Sequence, residues 1–198
     1  MKLFFYLLSI LTLFVSCNNK NDSQEQDIYE IVSIIINRFS KPIQPPPPPD
    51  GKEPYFSQAQ IDSIMNRTQK VALYPVLFTT TEKFTKNEKL GQEYNKLVND
   101  LGQFNSEDQI DINKVRTSKS INLQLVDTIK LKSNRRYIDK NYDILIRISN
   151  ISFNDSLDKA VLIIGSSRGY LNGASSLIFL EKINGIWKIK NIDTFSIS

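Results

Sequence analysis

The stretch that decides the fold is KAVLIIGSSRGYLNGASSLIFLEKINGIWKIKNIDTFSIS, residues 159–198. Three strand-like runs are separated by the pairs Asn172-Gly173 and Asn184-Gly185. Asn-Gly between apolar runs is the strongest short-range hairpin signal, because a type I′ turn needs φ > 0 at both central residues. The stretch therefore predicts a three-stranded antiparallel meander. Residues 161–164 of its first strand are apolar at both odd and even positions, which indicates a central strand covered on both faces.

Two-residue hairpins fix strand register, so the pairing can be predicted residue by residue. Across Asn184-Gly185, the expected pairs are Ile183 with Ile186, Lys182 with Trp187, Glu181 with Lys188 and Leu180 with Ile189. This register places Ile178, Leu180, Trp187 and Ile189 on one face and Glu181, Lys188 and Lys190 on the other. A slip in the alternation around Asn191 predicts a β-bulge. Across Asn172-Gly173, the same reasoning places Tyr170 opposite Ser175.

The preceding chain supplies helices that can cover the meander. Apolar residues at helical spacing predict helices over 25–39, 57–68 and 86–101, with Ser57 as an N-cap and Ile61, Ile64 and Met65 facing inward. Pro75 divides the β-rich run 70–81, which is either an edge strand or two shorter pieces. Prolines 45–49 favour an extended polyproline II rod within a connector over 41–54. We predict an α+β fold in which N-terminal helices pack on an antiparallel sheet that ends in the meander.

The first residues are typical of an export signal. An apolar run over residues 3–15 is too short to span a bilayer as a helix, and it suits the apolar region of a secretory signal. The run stops at Cys17, the only cysteine, and a polar segment follows. We divide the chain into a signal peptide over 1–16, a tether over 17–26 and a single domain over 27–198. The alternative is an ordinary secretory signal with an incidental cysteine.

The segment Leu13-Phe14-Val15-Ser16-Cys17 resembles a bacterial lipobox, although Phe14 stands where that motif usually has leucine. The resemblance implies cleavage before Cys17 and attachment of lipid to its sulfur. It also implies a protein anchored in the cell envelope, at the outer membrane, whose membrane partner is reached through the N-terminal lipid.

The composition limits the chemistry that the chain can perform. The sequence contains no histidine, which excludes Ser-His and Cys-His nucleophilic pairs and imidazole ligands for zinc. Neither standard glycine-rich phosphate loop appears. The net charge of +4 gives no reason to expect a nucleic-acid partner. We expect no cofactor and no metal, and an enzyme would depend on carboxylates such as Asp143, Glu181 or Asp193.

A basic stretch precedes the last strands. Its cations are Lys114, Arg116, Lys119, Lys130, Lys132, Arg135, Arg136 and Lys140, and strand-like alternation runs from Ile121 to Ile129. Such a stretch suits an anionic glycolipid or another envelope partner. The alternative is a solvated sheet edge, because lysine on edge strands blocks unwanted pairing.

The candidate ligand-binding residues lie at the first Asn-Gly turn and on the last strand. Ser166, Arg168 and Tyr170 are polar interruptions of an apolar strand, and arginine can hold a carboxylate or phosphate bidentately. Tyr170 or Trp187 can supply an aromatic wall. The alternatives are core packing for Trp187 and a surface ion pair for Arg168.

The last quarter of the chain resembles lipoproteins of the Bacteroidota that have no assigned activity. The residues that carry this resemblance are Ile151-Ser-Phe-Asn154, Lys159-Ala160, Gly169-Tyr-Leu-Asn-Gly173, Leu180-Glu-Lys-Ile-Asn-Gly185 and Trp187-Lys188. The order of helices followed by a sheet ending in Gly-x-Trp-x-Ile also resembles NTF2-like or cystatin-like domains, which include enzymes, ligand carriers and dimerisation units. The resemblance to Bacteroidota implies O-glycosylation at Asp-Ser/Thr-aliphatic sequences, here at Ser63, Thr128 and Ser156.

These observations predict a lipid-anchored binding or interaction protein of the envelope that performs no catalysis. The alternatives are an NTF2-like enzyme that uses carboxylates and an immunity-type lipoprotein that neutralises a secreted toxin.

Overall fold

The computed structural model describes residues 22–50, 55–84, 90–105, 107–169 and 171–198. Within them, one seven-stranded sheet carries a long helix on one face and shorter helices on the other. The fold is α+β with a C-terminal meander, as predicted. The predicted signal peptide, the lipid-attachment residue Cys17 and residues 51–54 of the connector lie outside the described residues. No helix of the described ranges combines the length and the apolar character needed to cross a membrane.

The elements follow one another in mixed order. The helices are α1 (residues 22–39), α2 (Gln58–Asn66), α3 (Gly91–Asp100), α4 (Thr128–Ser133) and α5 (Tyr137–Asn141). The strands are β1 (Gln69–Leu73), β2 (Val76–Leu77), β3 (Asp108–Gln109), β4 (Ile121–Leu125), β5 (Ile144–Ile148), β6 (Ser152–Phe153), β7 (Lys159–Ser167), β8 (Gly173–Ile183) and β9 (Ile186–Ile197).

The main sheet has the order β4-β1-β5-β7-β8-β9, and β6 pairs with the start of β7. Strand β1 runs parallel to both of its neighbours, β4 and β5, whereas every other pairing in the main sheet is antiparallel. The break at Pro75 produces two short strands, β1 and β2, which is the second of the two alternatives that the sequence left open. Strand β1 is buried inside the sheet, however, and not at its edge.

The hairpin at Asn184-Gly185 confirms the predicted register in each of its four pairs. Asn184 has φ 52° and Gly185 has φ 77°, the positive values that a type I′ turn requires. The predicted bulge is present, because Leu180 pairs with Ile189 and Phe179 pairs with Asn191, which leaves the intervening residue unpaired.

The prediction at Asn172-Gly173 is wrong. Ser175 lies opposite Gly165 and not opposite Tyr170, and Gly173 lies opposite Ser167 as the first residue of β8. Strand β7 ends at Ser167 and β8 begins at Gly173, so the connection is longer than two residues, and the Arg168 amide donates to the Asn172 carbonyl at 2.8 Å. Gly173 is held in the sheet instead, because its backbone exchanges two hydrogen bonds with Ser198, at 3.0 and 2.9 Å.

One face of the sheet, which we call the α1 face, is closed by the long helix. Four residues of α1 are completely buried against the strands, and their contacts include the predicted apolar face of the meander. The packed residues include Ile31, Val32, Ile35 and Ile36 of α1 and Leu162, Ile178, Leu180 and Trp187 of the sheet. This packing confirms the predicted role of the first helix.

The opposite face, which we call the groove face, is covered in two separate patches. Helix α3 packs its apolar side on Val161, Ile163, Leu177 and Phe179. Helices α4 and α5 cover Ala72 and Leu145 near the other edge. Between these two patches, small and polar side chains leave part of the face open.

Several local expectations need correction. Residues 22–26, which the sequence places in the tether, are helical, and Glu25 among them binds Lys114 at 2.7 Å. Ser57 does cap α2, and its side chain and that of Gln60 bond each other's backbone amides. Of the inward residues predicted for α2, Ile61 and Ile64 are half-buried and Met65 is exposed, and no residue of that helix is completely buried.

The basic stretch contains the sheet edge. Strand β4 is the outer strand, as the edge interpretation requires, but the predicted alternation stops at Leu125. Asp127 then caps α4 by accepting hydrogen bonds from the amides of Ile129 and Lys130, at 3.1 and 3.0 Å. Binding of a glycolipid by these cations stays a prediction.

The proline connector lies against the domain on one side. Pro42, Pro45 and Pro48 are half-buried, and the residues between them are exposed. A repeat of three residues matches the three-residue turn of polyproline II.

Candidate functional site

A row of four residues crosses the open part of the groove face. Arg147 of β5 lies opposite Gly165 of β7, which lies opposite Ser175 of β8, which lies opposite Ser196 of β9. Directly opposed residues of a sheet point to the same face. The row therefore presents one cation and two hydroxyl groups, with a space at the glycine between them.

Two adjoining hollows of about 150 and 180 Å³ lie along this row. Arg147, Gly165 and Ser175 line both, and we call the combined feature the Arg147 groove. The first hollow is also lined by Ser166, Ser167, Ser196 and Ser198, and the second by Phe78, Thr80, Glu82 and Phe195. Hollows of this volume suit a small group or the end of a larger molecule.

Arg147 is exposed and held by aromatic rings. The carbon atom of its guanidinium lies 4.9 Å from the ring centre of Tyr74 and 5.2 Å from that of Phe78. Among the described residues, its guanidinium forms no ion pair and no hydrogen bond. The rings restrain the side chain by cation–π attraction, and its donors stay available to an incoming anion.

The strands position the walls of the groove through two local features. A Cβ atom at Gly165 would lie 3.8 Å from the Cβ of Arg147, so the glycine leaves the space beside the arginine empty. A second bulge separates the pairs Ser175–Ser196 and Ser176–Thr194 and leaves Phe195 unpaired. The Phe195 ring packs edge-on against Phe84, with 5.1 Å between centroids, and forms a wall of the second hollow.

Of the predicted ligand-binding residues, Ser166 borders the groove, but it lies opposite Ile146 of the α1 face, so its side chain points away from the row. Arg168 does not line the groove. Arg168 donates hydrogen bonds to the carbonyl oxygens of Phe39 at 3.2 Å and Lys41 at 2.6 Å. These carbonyls end helix α1, so the guanidinium caps that helix. Burial lowers the pKa of Arg168, and the nearby Asp143 carboxylate opposes this shift. Tyr170 lies outside the described residues.

Trp187 belongs to the core, which was the alternative interpretation of this residue. It is 2% exposed, and its indole Nε1 donates to Asp27 Oδ1 at 2.9 Å. Asp27 in turn accepts from Lys182 Nζ with both carboxylate oxygens, at 2.6 and 2.8 Å. The Lys182 ammonium also lies 5.0 Å from the indole ring centre. The tryptophan therefore joins α1 to the last hairpin and offers no wall to a ligand.

The carboxylates proposed for acid–base chemistry do not meet in the groove. Asp143 binds Arg67 and accepts a hydrogen bond from the amide of Lys70 at 2.8 Å. Glu181 binds Lys190 at 2.6 Å, which is an ion pair on the face that the sequence predicted. Asp193 is exposed on β9. None of the three lines the Arg147 groove, whose one carboxylate among the described residues is Glu82.

The predicted glycosylation residues lie at or near the surface. Ser63 is exposed on α2, Thr128 is half-buried as the first residue of α4, and Ser156 is exposed in the turn between β6 and β7. The Ser156 hydroxyl donates to Asp158 at 2.9 Å. Modification of these hydroxyls stays a prediction.

A larger hollow of about 1040 Å³ runs along the outer side of α1. Much of its polar lining is already bonded within the protein. Lys114 binds Glu25, the Ser33 hydroxyl accepts from the Arg116 amide at 2.9 Å, and the Asn37 amide donates to the Arg116 carbonyl at 2.9 Å. The Arg147 groove is smaller, but the guanidinium that lines it is held by two aromatic rings, which makes it the better candidate site.

Sequence reasoning missed Arg147, although a signal was present. The strand Ile144-Leu-Ile-Arg-Ile148 contains a single charged residue among four aliphatic ones. A lone arginine at a position that alternation assigns to one face indicates an exposed or functional part of that face. The small residues that complete the groove gave no signal of their own.

Comparisons with known proteins give no independent guide to this site. No family model, no curated protein and no solved structure matches the chain. Among the described residues, no group of three or more carboxylate or thiol side chains is placed to hold a metal ion. The function must therefore be argued from the geometry.

Proposed function

We propose that this protein is a lipid-anchored protein of the cell envelope that binds an acidic ligand in the Arg147 groove without transforming it. The observation that carries the proposal is the guanidinium of Arg147, which lies over two aromatic rings, forms no ion pair with the described residues, and stands at one end of a row of small and hydroxyl-bearing residues. The lipid anchor is supported by the lipobox-like sequence that ends at Cys17.

The groove recognises a carboxylate or phosphate by shape as well as charge. A guanidinium donates two parallel hydrogen bonds to such a group, and bonds to a charged acceptor contribute about 1.5–3 kcal/mol each. The hydroxyls of Ser175 and Ser196 stand in the same row and can bond to the remaining oxygens or to hydroxyls of the ligand. The Phe78 and Phe195 rings add apolar surface beside the acidic group.

Binding without catalysis is favoured because the groove contains too few reactive groups. Acid–base catalysis needs a positioned proton donor and acceptor near the reacting atoms. The groove offers Glu82 and hydroxyl groups, and the three carboxylates predicted for this task lie elsewhere. The enzyme and immunity-type interpretations stay predictions, since no feature of the described residues favours them.

A titration of the full-length lipoprotein in detergent tests the ligand class. The probes are inorganic phosphate, acetate and glucuronate, with glucose as the neutral control. We expect saturable binding of at least one anion and none of glucose. The variant Arg147→Gln should weaken that binding at least tenfold, which corresponds to about 1.4 kcal/mol. Arg147→Lys should keep only part of the wild-type affinity, because lysine has the positive charge but lacks the two parallel N–H donors of the guanidinium.

The matched control is Arg136→Gln, which removes an exposed arginine at the N-cap position of α5. It lowers the net charge equally and should leave the affinity unchanged. Equal affinities for the wild-type protein and Arg147→Gln would remove the groove from consideration. The anchor is tested separately by labelling cells with a palmitate analogue, and label that persists in Cys17→Ser would contradict it.

A further inference from the structure

The tip of the last hairpin, residues 183–186, lies beside the N-terminal end of helix α1. Asp27 near the start of the helix binds Lys182 and Trp187, the residues that flank the tip. At the other end of α1, Arg168 binds the carbonyls of Phe39 and Lys41. Helix α1 therefore runs back along β8, and its N-terminus and the hairpin tip point in the same direction.

The two ends also reach about the same level. Residue 22 lies five residues before Asp27, which is about 7.5 Å along a helix. The tip extends two residues beyond Lys182 and Trp187, which is about 7 Å along a strand. Cys17 lies five residues before residue 22, so a fully extended chain places it within about 17 Å of the helix end.

The hairpin tip carries two apolar side chains that are partly exposed to solvent. Ile183 and Ile186 lie directly opposite each other and are 39% and 57% exposed. Lys188, the next residue on the same face of β9, is exposed as well. A pair of aliphatic side chains with a cation behind them suits the boundary between acyl chains and lipid head groups, where lysine can reach the phosphates.

We propose that the hairpin tip is a second contact with the bilayer, in which Ile183 and Ile186 enter the lipid interface beside the acylated N-terminus. This inference rests on the lipid anchor proposed above. The tip fixes how the anchored domain stands on the membrane. Ser175 lies eight residues back along β8, about 26 Å from the tip, so the Arg147 groove is held away from the lipid surface.

Site-directed fluorescence on the full, acylated chain tests this arrangement. The protein is reconstituted in vesicles of phosphatidylethanolamine and phosphatidylglycerol that carry nitroxide-labelled lipids as quenchers. An environment-sensitive dye is attached at Ile186→Cys, because the Cys17 sulfur is blocked by its lipid. The matched control is Leu171→Cys, a 79% exposed apolar residue at the opposite end of the meander. We expect at least threefold greater quenching at position 186 than at position 171.

A second variant separates contact from mere proximity. With the dye at Lys188→Cys, the double change Ile183→Ser and Ile186→Ser should reduce quenching to the level seen at position 171. Unchanged quenching in that variant would overturn the insertion of the isoleucines.

The outcomes for the anchor and the tip can be told apart. Mass measurement and vesicle flotation report acylation independently of the dye. An acylated, floating protein with equal quenching at positions 186 and 171 overturns the tip contact and leaves the anchor standing. A protein that is not acylated overturns both, while the titration of the Arg147 groove is unaffected by either result.

Discussion

The two Asn-Gly pairs of the meander have the same sequence and opposite structures. Asn184-Gly185 forms a two-residue turn with positive φ at both positions. Asn172-Gly173 has neither positive φ, and its glycine is the first residue of β8. One end of the meander, the tip end, is therefore tight and anchored to α1. The other, the groove end, is wide and lined by small residues.

The difference lies in what flanks each pair. At the tip end, Trp187 and Lys182 are fixed by Asp27, so a shift of register would remove a buried tryptophan from the core. At the groove end, the flanking residues of β7 and β8 are glycine, alanine and serine. These side chains bury little apolar surface, so no core packing favours a two-residue turn at Asn172-Gly173. Gly173 is instead paired with Ser198 of the chain end next to β9 through two backbone hydrogen bonds.

The largest expected effect comes from removing the anchor of the tip end. Trp187→Ala should lower the free energy of unfolding by about 3–5 kcal/mol, because it leaves a cavity in the core and removes one of the two partners of the Asp27 side chain. Urea denaturation of the full chain measures this loss. The comparison variant Leu171→Ala, at the exposed groove end, should stay within about 0.5 kcal/mol of the wild type. Similar losses in both variants would contradict the assigned difference between the ends.

A smaller effect should distinguish the two glycines. Gly185→Ala places a Cβ atom at φ 77° and should cost about 1–2 kcal/mol in the free energy of unfolding. Gly173→Ala meets no such strain, and its nearest contact would be the Ser198 Oγ at 2.9 Å.

The clean test of Gly173 is therefore made in a Ser198→Ala background, where that oxygen is absent. There, Gly173→Ala should change the free energy of unfolding by less than about 0.5 kcal/mol. Equal costs at the two glycines, measured by the same denaturation experiment, would show that the pairs do not differ as described.

The smallest effect concerns acid pH at the tip end. A hydrogen bond from Lys159 lowers the pKa of Glu93, and hydrogen bonds from Asn154 and Ser156 lower the pKa of Asp158. A carboxyl whose pKa is lowered by folding stabilises the protein above its unfolded pKa and loses that contribution as the pH falls through the folded value. Stability should therefore decline below about pH 4.5, and Glu93→Gln should make the decline shallower.

Tyr94→Phe is the control for this measurement. Burial raises the pKa of the Tyr94 hydroxyl to about 12, so its removal should not change the acid limb. At alkaline pH, the wild type should lose stability between about pH 10 and 12, as the unfolded tyrosine ionises before the folded one. The variant should lose less, and the remaining loss comes from groups such as Tyr142 and Lys159, whose pKa values are also raised by folding. Thermal unfolding measured across both pH ranges gives the change of stability with pH in each. If Glu93→Gln leaves the acid change as it is in the wild type, the contribution assigned to Glu93 is contradicted.

Local signals predicted the elements whose own residues supply the needed geometry. The Ser57 cap, the break at Pro75 and the Asn184-Gly185 register depend on side chains and dihedral angles within a few positions. The parallel pairing of β1 with β4 and β5 had no such signal, because it depends on crossovers through α3, α4 and α5. Of the candidate ligand-binding residues, Ser166 borders the Arg147 groove and Arg168 serves as a helix cap, and ligand binding by them stays a prediction.

By itself, the sequence determined the α+β class, the meander, the tight hairpin and the apolar face that meets α1. Hydrophobic alternation and turn chemistry are local properties, and they specify such features without knowledge of the rest of the chain. The tertiary structure alone decided that Arg147, Gly165, Ser175 and Ser196 form one row. These residues come from four strands, and only the register of each strand on its neighbour brings them together.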